Sequence, residues 1–228
     1  MKKRVAIFDV DGTVFRSSLL IELVEALIHE GVFRPKVFKI YERDKKSWLS
    51  RKGDYQSYID SVVRAFLKNI KGVKYSDFSR VAQEVVSFHK DRVYRFTRDL
   101  VRGLKKKNYY ILAISHSPRE IVRRFCGGLG FSKVYGIVYE LDKKKRFSGR
   151  ILYWDEISDK ARILRRAVRK ENLSLKGSVG VGDTESDIPF LKMVERPICF
   201  NPNRKLYEHG KRAGWQIVVE RKDVVYKI

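Results

Sequence analysis

The chain has 228 residues, 43% of them hydrophobic, which suits one large domain or a core carrying a smaller insertion. Its 50 basic and 27 acidic side chains leave a formal net charge of +23, and its two cysteines, Cys126 and Cys199, lack the C-x-x-C spacing of a zinc or redox site. No apolar run nears the roughly 20 residues of a membrane helix. Met1-Lys2-Lys3-Arg4 leads into a strand too short and too soon acidic for a signal peptide, so a soluble cytoplasmic protein without membrane contact is expected.

Val5-Ala6-Ile7-Phe8 is a short continuous apolar run, the pattern of a strand covered on both faces. It ends in Asp9-Val10-Asp11-Gly12-Thr13, where Gly12 lets the backbone turn out of the sheet. A calcium loop also begins D-x-D but needs a Glu at its twelfth position, which here is Leu20. The remaining alternatives are an acidic turn and a catalytic pair at a strand end.

Ser17-Ser18 offers an N-cap for a helix through Leu20, Leu23, Val24, Leu27 and Ile28, closed by Gly31. Lys36 to Arg51 reads as helical. Asp54 opens a further helix along Tyr55, Tyr58, Ile59, Val62, Val63 and Phe66, and Ser76 to Phe88 gives one more. This section shows no convincing strand. From about Val93 the pattern changes to a helix through Leu104, then a buried strand over Tyr109–Ile114 that ends at Ser115-His116-Ser117-Pro118. A helix from Arg119, short strands or a hairpin over Val134–Leu141 and Arg150–Tyr153, and a helix opened by Ser158-Asp159-Lys160 follow. Ser178 to Gly182 is a third strand running into Asp183, with a short helix after Asp187; Ile198–Phe200 and Gln216–Val219 are further strands.

Alternating strands and helices predict an α/β, Rossmann-like core with a mostly parallel sheet. Asp11 and Ser115 lie 104 residues apart, too far for a crossover unit of about 30. The helical section is therefore an insertion, and the expected division is a core of 1–15 and 93–228 with an α-helical cap of 16–92. Asp9 and Asp11, Ser115, and Asp183 with Asp187 then gather at the carboxyl edge of the sheet, and Lys160 opens a helix between the last two. Several carboxylates at one edge repel one another unless a cation binds, and oxygen ligands without His or Cys suit Mg²⁺. A lysine beside them adds a second positive charge, which is equipment for phosphoryl transfer.

In this combination the chain resembles the haloacid dehalogenase (HAD) superfamily of phosphohydrolases, in the branch that includes phosphoserine phosphatase. The resemblance rests on Asp9-Val10-Asp11-Gly12-Thr13, Ile114-Ser115, Lys160 and Gly182-Asp183-Thr184-Glu185-Ser186-Asp187, in the family's order. It implies an aspartyl-phosphate on Asp9, general acid and base work by Asp11, and phosphoryl contacts from Ser115 and Lys160. It also implies Mg²⁺ held by Asp9, the backbone of Asp11, and Asp183, with Asp187 supporting the metal shell. Three features depart from the phosphoserine enzymes, one of them Ser186 where they usually have Asn. The substrate-holding glutamate nine residues after the nucleophile is Ser18 here, with Glu22 one turn on, and the second motif continues His116-Ser117-Pro118 instead of glycines.

The expected function is hydrolysis of a small phosphomonoester by a monomer or homodimer. Phosphotransfer to another alcohol at the same site is an alternative. The positive charge supplies a further one, a polyanion or nucleic-acid partner with or without terminal-phosphate processing. The excess is spread: residues 16–92 carry 16 basic and 10 acidic groups, and the remainder 34 and 17. Lys105-Lys106-Lys107 and Lys143-Lys144-Lys145-Arg146 read as a helix end and a hairpin tip.

Overall fold

The computed structural model describes residues 2–228. Among these residues one sheet is formed by β1 (Lys3–Phe8), β2 (Tyr110–Pro118), β3 (Lys133–Leu141), β4 (Phe147–Leu152), β5 (Leu173–Gly182), β6 (Arg196–Phe200), β7 (Gln216–Arg221) and β8 (Val224–Lys227). Their order is β4-β3-β2-β1-β5-β6-β7-β8. Every pairing is parallel except β3–β4 and β7–β8 at the two edges. The order reverses at β1, and ligands of open α/β sheets bind at such a switch point, outside the carboxyl ends of the strands.

The continuous apolar run of β1 serves two opposite faces. Ala6 and Phe8 join one buried cluster with Ile111, Ala113, Val179 and Val181, covered by α5 (Arg95–Lys106) and α6 (Arg119–Gly127). Val5 and Ile7 join another with Leu112 and Ile114, covered by α8 (Lys160–Lys170) and α9 (Ile188–Leu191). Four helices lie between β1 and α5: α1 (Leu19–His29), α2 (Glu42–Leu49), α3 (Tyr55–Asn69) and α4 (Tyr75–His89). Their apolar stripes, from Leu23 and Val24 to Val81 and Ala82, belong to the same buried cluster as Phe8. Ser18 caps α1 and Asp54 caps α3, each accepting a backbone N–H. The chain leaves and re-enters the sheet layer side by side. Phe15 bridges Val93, Tyr94 N–H donates to the Val14 carbonyl at 3.1 Å, and the Thr97 hydroxyl donates to the Thr13 carbonyl at 2.9 Å.

The expected helix over Lys36–Arg51 is split. A 3₁₀ turn over Pro35–Ile40 ends at the buried Tyr41 before α2 begins. Strand β5 starts five residues earlier than its apolar run: Leu173 and Leu175 begin the strand, and Lys176-Gly177 interrupts it where the register against β1 shifts between Arg4 and Ala6. Three elements give too little apolar signal to be read from sequence. Helix α10 (Arg204–Ala213) buries only Leu206 and Gly210, α7 (Trp154–Ile157) is one turn, and β8 is a mostly exposed edge strand.

Candidate active site

The carboxyl ends of β1, β2 and β5 and the first turn of α8 bring Asp9, Asp11, Ser115, Lys160, Asp183 and Asp187 together. Lys160 is buried, and its Nζ donates to Asp9 Oδ1 and Asp187 Oδ1, both at 2.5 Å. Its position follows from the local fold. Asp159 caps α8, accepting Ala161 N–H at 2.8 Å, so the next side chain enters the layer between α8 and the sheet. Burial alone would lower the lysine's pKa, but Asp187 and Asp9 raise it further than burial lowers it, so the ammonium stays charged.

Asp187 is fully buried, and its second oxygen, Oδ2, accepts the backbone N–H groups of Asp183 at 3.0 Å and Thr184 at 3.1 Å. It therefore caps the 3₁₀ turn and holds the lysine at once. Asp183 accepts the Thr13 hydroxyl at 3.3 Å. Gly12 has φ +76°, and a Cβ there would lie 2.1 Å from Asp183 Oδ2, so the turn after β1 requires glycine for conformation and for space.

Asp11 is held from three sides. Leu19 N–H donates to Oδ1 at 2.5 Å, and the hydroxyls of Ser115 and Ser117 donate to Oδ2 at 2.7 and 2.9 Å. Ser117 was not among the expected site residues. Four steps along β2, from Ile114 to Pro118, match two along β3, from Tyr135 to Ile137, and this bulge turns both serines toward Asp11. Gly136 opposite makes room, since a Cβ there would meet the Ser117 carbonyl at 2.9 Å. The sequence cue for Ser117 was its i+2 spacing from Ser115 on a strand. In this arrangement the Ser115 hydroxyl is engaged with Asp11.

Burial pushes the Asp9 carboxyl up to about 7, opposed by Lys160 and reinforced by Asp187 and Asp11. Burial likewise raises Asp183, with Asp9 and Asp187 adding repulsion, and raises Asp11 against the hydrogen bonds from Ser115, Leu19 and Ser117. Asp9, Asp183 and Asp187 each bring a ligand oxygen within 4.8 Å of the others. Three clustered carboxylates against one ammonium leave negative charge uncompensated, and the donor set is oxygen only, so the residues fit a hard divalent cation such as Mg²⁺.

Above this floor lies a cavity of about 450 Å³. Leu20 of α1, Tyr55, Ile59 and Val63 of α3, Ile137 of β3 and Trp154 of α7 supply apolar walls, and His116 stands at its mouth. Desolvation and then the Lys160 ammonium push His116 down to about 4, so it is neutral at neutral pH. Near the start of α3, Tyr55 lines this cavity. Tyr58 is buried against Tyr41, and Arg51 stacks over Trp48. Glu22 points elsewhere: it accepts Ser17 Oγ at 2.7 Å and pairs with Arg92 at 2.8 Å and His89 at 3.2 Å. Ser18, at the position of the substrate-holding glutamate, is the buried cap of α1.

The profile of the haloacid dehalogenase-like hydrolases matches residues 6–192. The chain belongs to this family. Among its relatives is a phosphoserine phosphatase of Archaeoglobus fulgidus, 25% identical over 208 residues that make up 90% of this chain and 54% of the relative. The chain thus spans about half the length of that protein. A Bordetella pertussis protein of unknown function shares the fold with a TM-score of 0.75 at 18% identity, covering 95% of this chain and 98% of the other. A phospho-aspartyl intermediate analogue of phosphoserine phosphatase superposes with a TM-score of 0.63 at 20% identity, covering 98% of this chain and 96% of the other. Among the described residues no helix is long and apolar enough to cross a membrane.

Proposed function

We propose that this hydrolase is a Mg²⁺-dependent phosphomonoesterase whose substrate carries an apolar alcohol portion. The observation that carries the reading is Asp9, buried at the centre of the sheet edge with Lys160 on one oxygen and Asp11 two residues on. Asp9 attacks phosphorus, the bond between phosphorus and the ester oxygen breaks, and Asp11 in its acid form protonates the leaving alcohol. Asp11, now a carboxylate, takes a proton from the water that attacks phosphorus in turn; the bond to Asp9 breaks and phosphate leaves. The raised pKa of Asp11 favours the acid form, and Leu19, Ser115 and Ser117 fix its orientation. Ser115 exchanges its bond to Asp11 for a phosphoryl oxygen when substrate enters. Asp9, Asp183 and the Asp11 carbonyl would hold the cation, with Asp187 behind them; when bound it neutralises charge on the transferring group.

Residues 16–92 act as a cap joined to the core at the bridge between Phe15 and Val93, and closing it excludes water. Their apolar contribution to the cavity, together with the engagement of Glu22 by Arg92 and His89, argues for an alcohol other than serine. The test is phosphate release from phosphoserine, sugar phosphates, nucleotides, histidinol phosphate and an aryl phosphate, each with Mg²⁺, with chelator and with Asp9→Asn. Turnover that needs both Mg²⁺ and Asp9 and favours the apolar esters is expected. Selective turnover of phosphoserine would overturn the substrate reading, and unchanged turnover by Asp9→Asn would overturn the chemistry.

A further inference from the structure

A cavity of about 840 Å³, larger than the catalytic one of about 450 Å³, lies elsewhere on the surface. It is a groove between the outer face of α8 and strand β3. Its charge differs sharply from the chain average: among its lining residues seven are basic and one is acidic, against 50 and 27 overall. The catalytic cavity is the reverse, with five acidic residues and Lys160.

The basic wall has a regular origin. Arg162, Arg165, Arg166 and Arg169 follow the i, i+3, i+4, i+7 spacing that puts four side chains on one helical face, and all are exposed. Arg119 and Lys133 face them from α6 and β3. Like charges at this spacing weaken a helix, and uncharged polar residues would solubilise the face equally well. The local carboxylates compensate only part of the stripe. Asp159 is shared between Arg162 and Arg165, each at 3.6 Å, and Glu156 pairs with Arg166. Among the described residues, Arg119 and Arg169 have no carboxylate partner. Arginine, with its planar fork, is the side chain suited to phosphate oxygens.

The rim carries a second feature. Tyr153 is 66% exposed and holds a left-handed backbone, φ 58°, which non-glycine residues seldom adopt. Its ring borders the groove, as does Tyr135. A row of exposed arginines beside an exposed aromatic ring matches an unpaired nucleotide chain, which offers a charge and a π-face at each residue. We propose that this groove binds single-stranded nucleic acid, independently of the catalytic cavity.

The test is fluorescence anisotropy of the full chain with labelled single-stranded 12-mers bearing 5′-hydroxyl ends, over a salt series. Binding should weaken linearly in log salt. The triple variant R165Q/R166Q/R169Q should lose at least tenfold in affinity, and its salt slope should fall by about 2, at roughly 0.7 per phosphate released. Tyr153→Ala should weaken binding with the slope unchanged. The control K105Q/K106Q/K107Q, at the end of α5, should bind as the parent does, and thermal midpoints should show that every variant is folded. No binding by the parent chain overturns the proposal. Equal losses in the two triple variants would mean diffuse charge and also overturn it. If Tyr153→Ala binds as the parent does and polyphosphate competes as well as the oligonucleotide, the groove reads charge alone and the nucleic-acid assignment fails.

Discussion

Asp9, Asp183, Asp187 and Lys160 on the floor of the catalytic cavity lie on strand ends and a helix cap and are held by one another. Leu20, Tyr55, Ile59 and Val63 above them come from α1 and α3, and among the described residues their side chains make no hydrogen bond to the floor. The floor's side chains are fixed by charge, and moving one leaves its partners buried and unpaired. The four apolar side chains of the roof are held by packing, and apolar replacements of similar volume cost little. On the proposed function, reaction type is a property of the floor and substrate choice a property of the roof. Each can be altered while the other is watched.

The largest effect belongs to the floor. Asp9→Asn should lower turnover by at least about 10³-fold, the scale on which losing a covalent nucleophile acts. Asp11→Asn should cost about 10²–10⁴-fold, as removal of a general acid does, while substrate binding persists. Lys160→Met leaves Asp9 and Asp187 unpaired, and without metal it should destabilise the fold by about 3–5 kcal/mol, read as a lower thermal midpoint. Mg²⁺ at about a hundred times its Kd should stabilise the parent by about 2.7 kcal/mol, and Asp183→Asn should abolish that shift. A roof substitution with floor-like consequences would break the comparison. Tyr55→Ala should raise KM for apolar esters by about tenfold, the scale of one lost hydrophobic contact, with kcat little changed. The smallest effect is expected at the mouth, where His116 is already neutral: His116→Gln should keep the parent's pH profile through neutral pH.

The same contrast explains what could be read from the sequence. The floor was legible because its chemistry forces short, spaced motifs. Asp9 and Asp11 need a strand end and a glycine, and Asp183 and Asp187 need one turn between them. Ser117 escaped because its role depends on a bulge in β2 whose register against β3 cannot be counted from one strand alone. The early half of β5 escaped because its two leucines are cut off from the main apolar run by Lys176-Gly177, and α10 escaped because it buries only Leu206 and Gly210. The roof was half legible. The helices over 54–89 could be placed from their stripes, but that Tyr55 faces the cavity while Tyr58 packs on Tyr41 depends on how α3 is docked. The engagement of Glu22 by His89 and Arg92 joins residues about 70 positions apart, a pairing no local pattern reveals.

The central claim is that Asp9 itself receives the phosphoryl group. The most direct measurement is acid quench of the hydrolase during turnover of an aryl phosphate with Mg²⁺, followed by mass spectrometry of the peptide that contains Asp9. The account predicts a phosphoryl adduct on that peptide during turnover, absent in Asp9→Asn and absent with chelator. Full turnover with no adduct at any quench time, or an adduct on another residue, would contradict it.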